Sequence, residues 1–192
     1  MRLHSRRYPL ESLQATQAAP GLTLIELVVV ALIVGLVAAV AIPVVNSQRG
    51  LQLDGAAHRI TADILYLQSQ ALLKRMPQAL IFDPGQGFYY YPTDSDPTQP
   101  SIEPISKKDY RILFSKACAD EDLLAQSHAA EFPSVNLDSA DFAGQSELYF
   151  DRLGFPTDDD GAPLSGASIG ISSGGSSRTI IVDTVSGQVT IN

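Results

Sequence analysis

The sequence predicts an α+β fold in which a long N-terminal helix packs on a C-terminal antiparallel β-sheet domain. Three observations carry that expectation. Residues 27–45 hold no charged side chain, and an apolar stripe at helical spacing follows from Leu53 to Ala71. After Pro77 the pattern changes to short strand-like runs divided by turn residues. Four segments result: an N-terminal stretch over 1–21, an apolar helical half over 22–45, an amphipathic half over 46–76, and a β-rich globular domain over 77–192.

The apolar run comes first. Its length suits a helix crossing a bilayer core. Glu26 stands alone at its mouth, where an unpaired carboxylate is expensive, roughly 2.5–3.5 kcal/mol at mid-membrane and less near the interface. It therefore needs a positive partner from outside the segment. Pro43 should kink the helix by removing a backbone hydrogen bond, and Gly50 and Gly55 should loosen the next stretch. Gly35 within the run is neutral, since glycine is common in membrane helices.

Beyond them Leu53, Ala57, Ile60, Ile64, Leu67 and Ala71 alternate steps of four and three, one narrow helical face. Arg59, Asp63, Gln70 and Lys74 fall off it, and Pro77 places the helix end near Arg75. From 22 to 75 the rod would be roughly 80 Å long.

Strand runs at 79–82 and 88–91 flank a turn-rich 83–87, a hairpin. The aromatic run Phe88, Tyr89, Tyr90, Tyr91 reads as strand alternation with half its rings in the core, not as a binding platform. Residues 93–104 form a polar, proline-punctuated loop, 110–114 a third strand, and the stretch to Gly144 no clear element. Residues 147–151 are a strand followed by a turn at Gly154, and 157–166 an acidic loop. A terminal meander takes 169–171, 179–183 and 188–191, the last two joined by 184–187.

Composition narrows the function. The formal charge is −8, and removing 1–21 with Arg2, Arg6, Arg7 and Glu11 makes it −10. An acidic domain with no basic residue in its tail (184–192) is a poor match to nucleic-acid phosphates. Cys118 is the only cysteine, so no intramolecular disulfide supports the fold. His4, His58 and His128 come with no zinc spacing, phosphate loop or nucleophile motif, so neither an enzyme nor a cofactor is expected. Asp94 and Asp96, and Asp158, Asp159 and Asp160 before Gly161, lack the spaced ligands of a calcium loop and read as solvated acidic loops.

The N-terminal motif joins Gly21, Glu26 five residues on, and Pro43 near the end of the apolar run. With Thr23, Leu24 and Ile25 it resembles the class III signal of type IV prepilins and type II secretion pseudopilins. That resemblance implies cleavage by prepilin peptidase between Gly21 and Leu22 and N-methylation of Leu22, where the family usually has Phe. It also implies pairing of Glu26 with the methylated amine of a neighbouring subunit. Two other readings start from the same residues. In a conventional signal peptide, Arg2, Arg6 and Arg7 are the n-region and Ala39-Val40-Ala41 precedes a cut before Ile42; in an uncleaved anchor Glu26 has no special purpose.

Residues 59–71 followed by a strand resemble the GspH/FimT-type minor pseudopilins, as do Phe150-Asp151-Arg152-Leu153-Gly154 and the hairpin ending Ser186-Gly187-Gln188-Val189. The resemblance implies a minor pseudopilin of a type II secretion system, single-pass in the bacterial inner membrane with its domain in the periplasm. Its implied partners are other pseudopilins or minor pilins, prepilin peptidase, the inner membrane and secreted cargo, with no nucleic acid. The alternative is a minor type IV pilin that primes pilus assembly; a DNA-uptake pilin or a cleaved soluble periplasmic domain ranks below both.

Overall fold

Helix α1 (Leu24–Lys74) starts where Thr23 caps it, with Glu26 N–H donating to Thr23 Oγ1 at 3.3 Å. It ends three residues before Pro77, at Arg75 in the left-handed region (φ 54°). The computed structural model describes residues 23–93, 98–102, 107–117, 120–127 and 131–192, with the side chains of 39–47 outside the description. It divides into two units, 1–41 and 42–192. The helix is assigned without a break through Pro43, Gly50 and Gly55; the kink expected at Pro43 falls among side chains outside the description.

In the first unit the described side chains of α1 are, Glu26 apart, apolar and exposed, Leu24 at 83 % and Leu36 at 63 %. In the second unit α1 is amphipathic. Leu53, Ala57, Ile60, Ile64, Leu67 and Ala71 are all buried, as the spacing predicts, and Ala56 joins them.

Nine strands follow among the described residues. β1 (Gln78–Asp83) and β2 (Phe88–Tyr90) form the expected hairpin, closed by Gly87 N–H on the Asp83 carbonyl and Gln86 N–H on Asp83 Oδ1. β3 (Arg111–Leu113) pairs with β2, and β5 (Glu147–Phe150) and β6 (Pro156–Thr157) extend the other side. The resulting antiparallel sheet has the order β3-β2-β1-β5-β6.

The sequence predicts one sheet around the helix; the described residues form two. β4 (Asn136–Phe142), β7 (Ala167–Ser173), β8 (Ser176–Val182) and β9 (Val189–Ile191) make a second antiparallel sheet in the order β4-β7-β8-β9. β4 lies in the stretch where no element was expected. Its apolar residues are sparse, with only Leu137 and Phe142 buried, and Asp138, Ser139 and Asp141 face out along a sheet edge. A short helix α2 (Glu121–Gln126), capped by Asp120, was also unforeseen.

Both sheets and the helix stripe contribute to one core: Leu80, Phe82, Tyr89 and Phe150 from the first sheet, Phe142, Ile169, Ile171 and Ile180 from the second. The aromatic run alternates as expected. Tyr89 enters this core, while Phe88 and Tyr90 face a smaller cluster with Leu113, Ala117, Leu123 and Leu124 on the other side of the sheet.

Candidate assembly interface

Glu26 lies in the first turn of α1 and is exposed. Thr23-Leu24-Ile25-Glu26 has the Ser/Thr-x-x-Glu form of a capping box, and a carboxylate there also favours the helix N-terminus. The capping bond itself uses the backbone N–H of Glu26. Around and beyond it Ile25, Leu27, Val28, Val29, Val30 and Leu32 are 49–72 % exposed. A helix apolar on every side is not a surface helix of a soluble domain; it needs lipid or other helices around it. Gly35 has nothing within 4 Å of where a Cβ would stand.

Among the described residues no helix is long and apolar enough to cross a membrane. Within the expected span 22–45, side chains are described only over 23–38, shorter than the roughly 20 residues a crossing needs. Gly21 and Leu22 lie outside the described residues, as do His4, Cys118, His128, Asp94 and Asp96. Pro43 is within α1, its side chain undescribed.

At the other end of α1, the helix is tied to the strands by contacts that sequence reasoning missed. Gln68 Nε2 donates to the Gly154 carbonyl at 2.9 Å and to the Ser186 carbonyl at 3.0 Å. Gly154 (φ +78°) and Gly187 (φ +72°) are both buried in left-handed turns against the helix. A Cβ at Gly154 would stand 3.1 Å from Leu72 Cγ, and one at Gly187 2.5 Å from Gln68 Nε2. The three segments that carry the GspH/FimT-type resemblance therefore meet at one junction. The turn chemistry was legible in Asp151 to Gly154 and Asp183 to Gly187; that both turns abut the same helical face was not.

A second missed feature lies one turn away. Asp63, expected off the stripe, is buried because it accepts from Tyr89 Oη at 2.6 Å and Arg59 Nε at 3.0 Å. Arg59 also reaches Tyr110 Oη at 3.1 Å and Glu131 at 3.6 Å. Burial, reinforced by Asp63, pushes the Tyr89 hydroxyl well above its ordinary pKa, so it stays a donor. This polar network joins helix to sheet through fixed hydrogen bonds. His58, by contrast, is exposed.

The acidic loop is held by hydrogen bonds within and beyond it: Asp158 Oδ1 accepts from Ala162 N–H at 2.7 Å, and Asp159 accepts from the Gln145 side chain at 3.1 Å. Among the described residues no group of three or more His, Cys, Asp or Glu is placed to hold a metal ion.

A helix laid on two antiparallel sheets is consistent with a pilin-like domain. The family model for type II transport protein GspH matches residues 56–187, from the core position Ala56 to the junction glycine Gly187. The chain belongs to this pseudopilin family. Comparison with curated proteins finds no match, and comparison with solved structures finds none. Membership of GspH carries association with other pseudopilins of type II secretion and a structural, non-enzymatic character for the family.

Proposed function

We propose that the chain is a minor pseudopilin, cut by prepilin peptidase between Gly21 and Leu22, methylated on Leu22, and assembled through its N-terminal helix into a periplasmic pseudopilus. The observation that carries this is the charge-free apolar run that follows Glu26 in α1, on a chain whose domain belongs to GspH. Residues 22–45 sit in the inner membrane before assembly and in the filament core afterwards. Basic residues Arg2, Arg6 and Arg7 keep the N-terminus cytoplasmic, and the domain lies in the periplasm. Secreted cargo and the neighbouring pseudopilins are its partners.

The mechanism is helix stacking with charge pairing. In a low-dielectric filament core, Glu26 and the methylated amine of a neighbour each leave the other stranded when they part, which selects one axial register. The family match favours type II secretion over the type IV pilus alternative. N-terminal sequencing of the mature protein tests the reading. Leu22 as first residue supports it, whereas Ile42 as first residue means a cleaved soluble domain and overturns it.

A further inference from the structure

The junction of α1 with the Gly154 turn carries an exposed apolar surface. Leu72 packs against Gly154, and the residues that flank that glycine, Leu153 and Phe155, are 63 % and 49 % exposed. Leu72 itself and Met76, one turn on, are also exposed. The loop that presents them is fixed, because Asp151 Oδ1 accepts from both Leu153 N–H and Phe155 N–H at 2.9 and 2.8 Å. That bonding engages one oxygen of the Asp151 carboxylate.

The rim of this surface is cationic on an otherwise acidic domain. Lys74, Arg75 and Arg152 are exposed, and none of them pairs with a carboxylate among the described residues. The β1–β5 register sets Gln78 opposite Phe150, so 75–76 leave the sheet beside 151–152 and the three cations belong to one patch.

We infer that this patch docks a different subunit of the same assembly, through an apolar surface of that subunit rimmed by carboxylates. The inference rests on the pseudopilin reading and adds the surface and the chemistry of its partner. A second copy meeting it by two-fold symmetry would set Lys74, Arg75 and Arg152 against their own counterparts. A head-to-tail copy fares no better: the domain's apolar groove, which Tyr66 and Ile102 line, has Lys74 and no carboxylate among its described lining residues. A bilayer is disfavoured too. Along α1, Leu72 lies roughly 40 Å of helical rise beyond Val45, the end of the membrane segment.

The test uses the full chain in lipid nanodiscs, titrated with each of the other purified pseudopilins of its own cell. One of them should bind at low salt, and binding should weaken at least tenfold with R75E/R152E and with L153S, at an unchanged melting temperature. The control L51S should bind as the parent does. Absence of binding by every subunit, or equal binding by the patch variants, overturns the inference. So does a patch that instead mediates self-association or adsorption to anionic vesicles. In cells the two ideas separate. A parent chain that never enters the pseudopilus sinks the functional reading, whereas patch variants that enter as well as the parent sink only the docking surface.

Discussion

Gly187 lies so close to Gln68 that a Cβ there would stand 2.5 Å from the amide nitrogen. The same amide holds the carbonyls of Gly154 and Ser186, which makes Gln68 the point at which helix and both turns are joined. An alanine at 187 has to adopt a left-handed backbone and displace that amide. Gly187→Ala should cost about 2–3 kcal/mol, combining the backbone term with lost hydrogen bonds. In the background Gln68→Ala the cost should fall, because the amide is no longer there to displace. Urea denaturation of the four proteins in the cycle measures the coupling; strict additivity would show that the two residues do not act on each other.

Tyr89 and Asp63 predict an alkaline limit on stability. The folded Tyr89 holds its proton above the ordinary tyrosine pKa of about 10, while the unfolded chain loses it there. The unfolded state therefore binds fewer protons above that pH, and stability falls as pH rises. Tyr91, also raised by burial and by Asp63, adds to the same limb. Tyr89→Phe should lower stability at pH 7 by about 1–3 kcal/mol, since Asp63 loses a buried donor, yet flatten the decline above pH 10. A decline as steep as the parent's would remove Tyr89 as its source.

Asp183 sets the opposite limb. Its carboxylate accepts from Ser186 N–H and Oγ and from Val185 N–H, which holds its pKa below the usual carboxylate value. A depressed pKa contributes stability above the unfolded pKa and loses it as pH falls through the folded one. Asp183→Asn should therefore make the parent and variant converge as pH drops from about 5 towards 2. Thermal melts across that range show the convergence, or its absence.

Glu26→Gln separates two uses of one side chain. Glutamine has the amide oxygen that a capping box with Thr23 uses but carries no charge. If pairing with a neighbour's amine drives assembly, Gln and Ala variants should both insert and be processed yet incorporate poorly, with incorporation read from sheared pseudopili. Recovery by Gln alone would assign the residue to helix capping.

Ile64→Ala tests the helix stripe. Ile64 is fully buried in the core shared by both sheets, so its truncation should cost about 2–5 kcal/mol. The neighbouring exposed Leu65→Ala should shift the denaturation midpoint by far less.

Local patterns in the sequence account for much of this molecule. The stripe from Leu53 to Ala71 burying as one face, the β1–β2 hairpin around Asp83 to Gly87, and the terminal meander all follow from period and turn chemistry, which act over a few residues. The motif of Gly21, Glu26 and Pro43 is likewise written in the chain, because a carboxylate beside a charge-free run is conspicuous without any fold.

Only the tertiary structure decided the rest. β4 carries too few apolar residues to announce itself and exists because β7 offers it a partner 25 or more residues away. Asp63 looked like a solvated helix position until Tyr89, from a strand, came down on it. Gly154 and Gly187 read as ordinary turn glycines; what makes them irreplaceable is that Gln68 and Leu72 of α1 occupy the space their side chains would need. Period and turn signals are short-range, whereas pairing, buried hydrogen bonds and close approach depend on which distant segments meet.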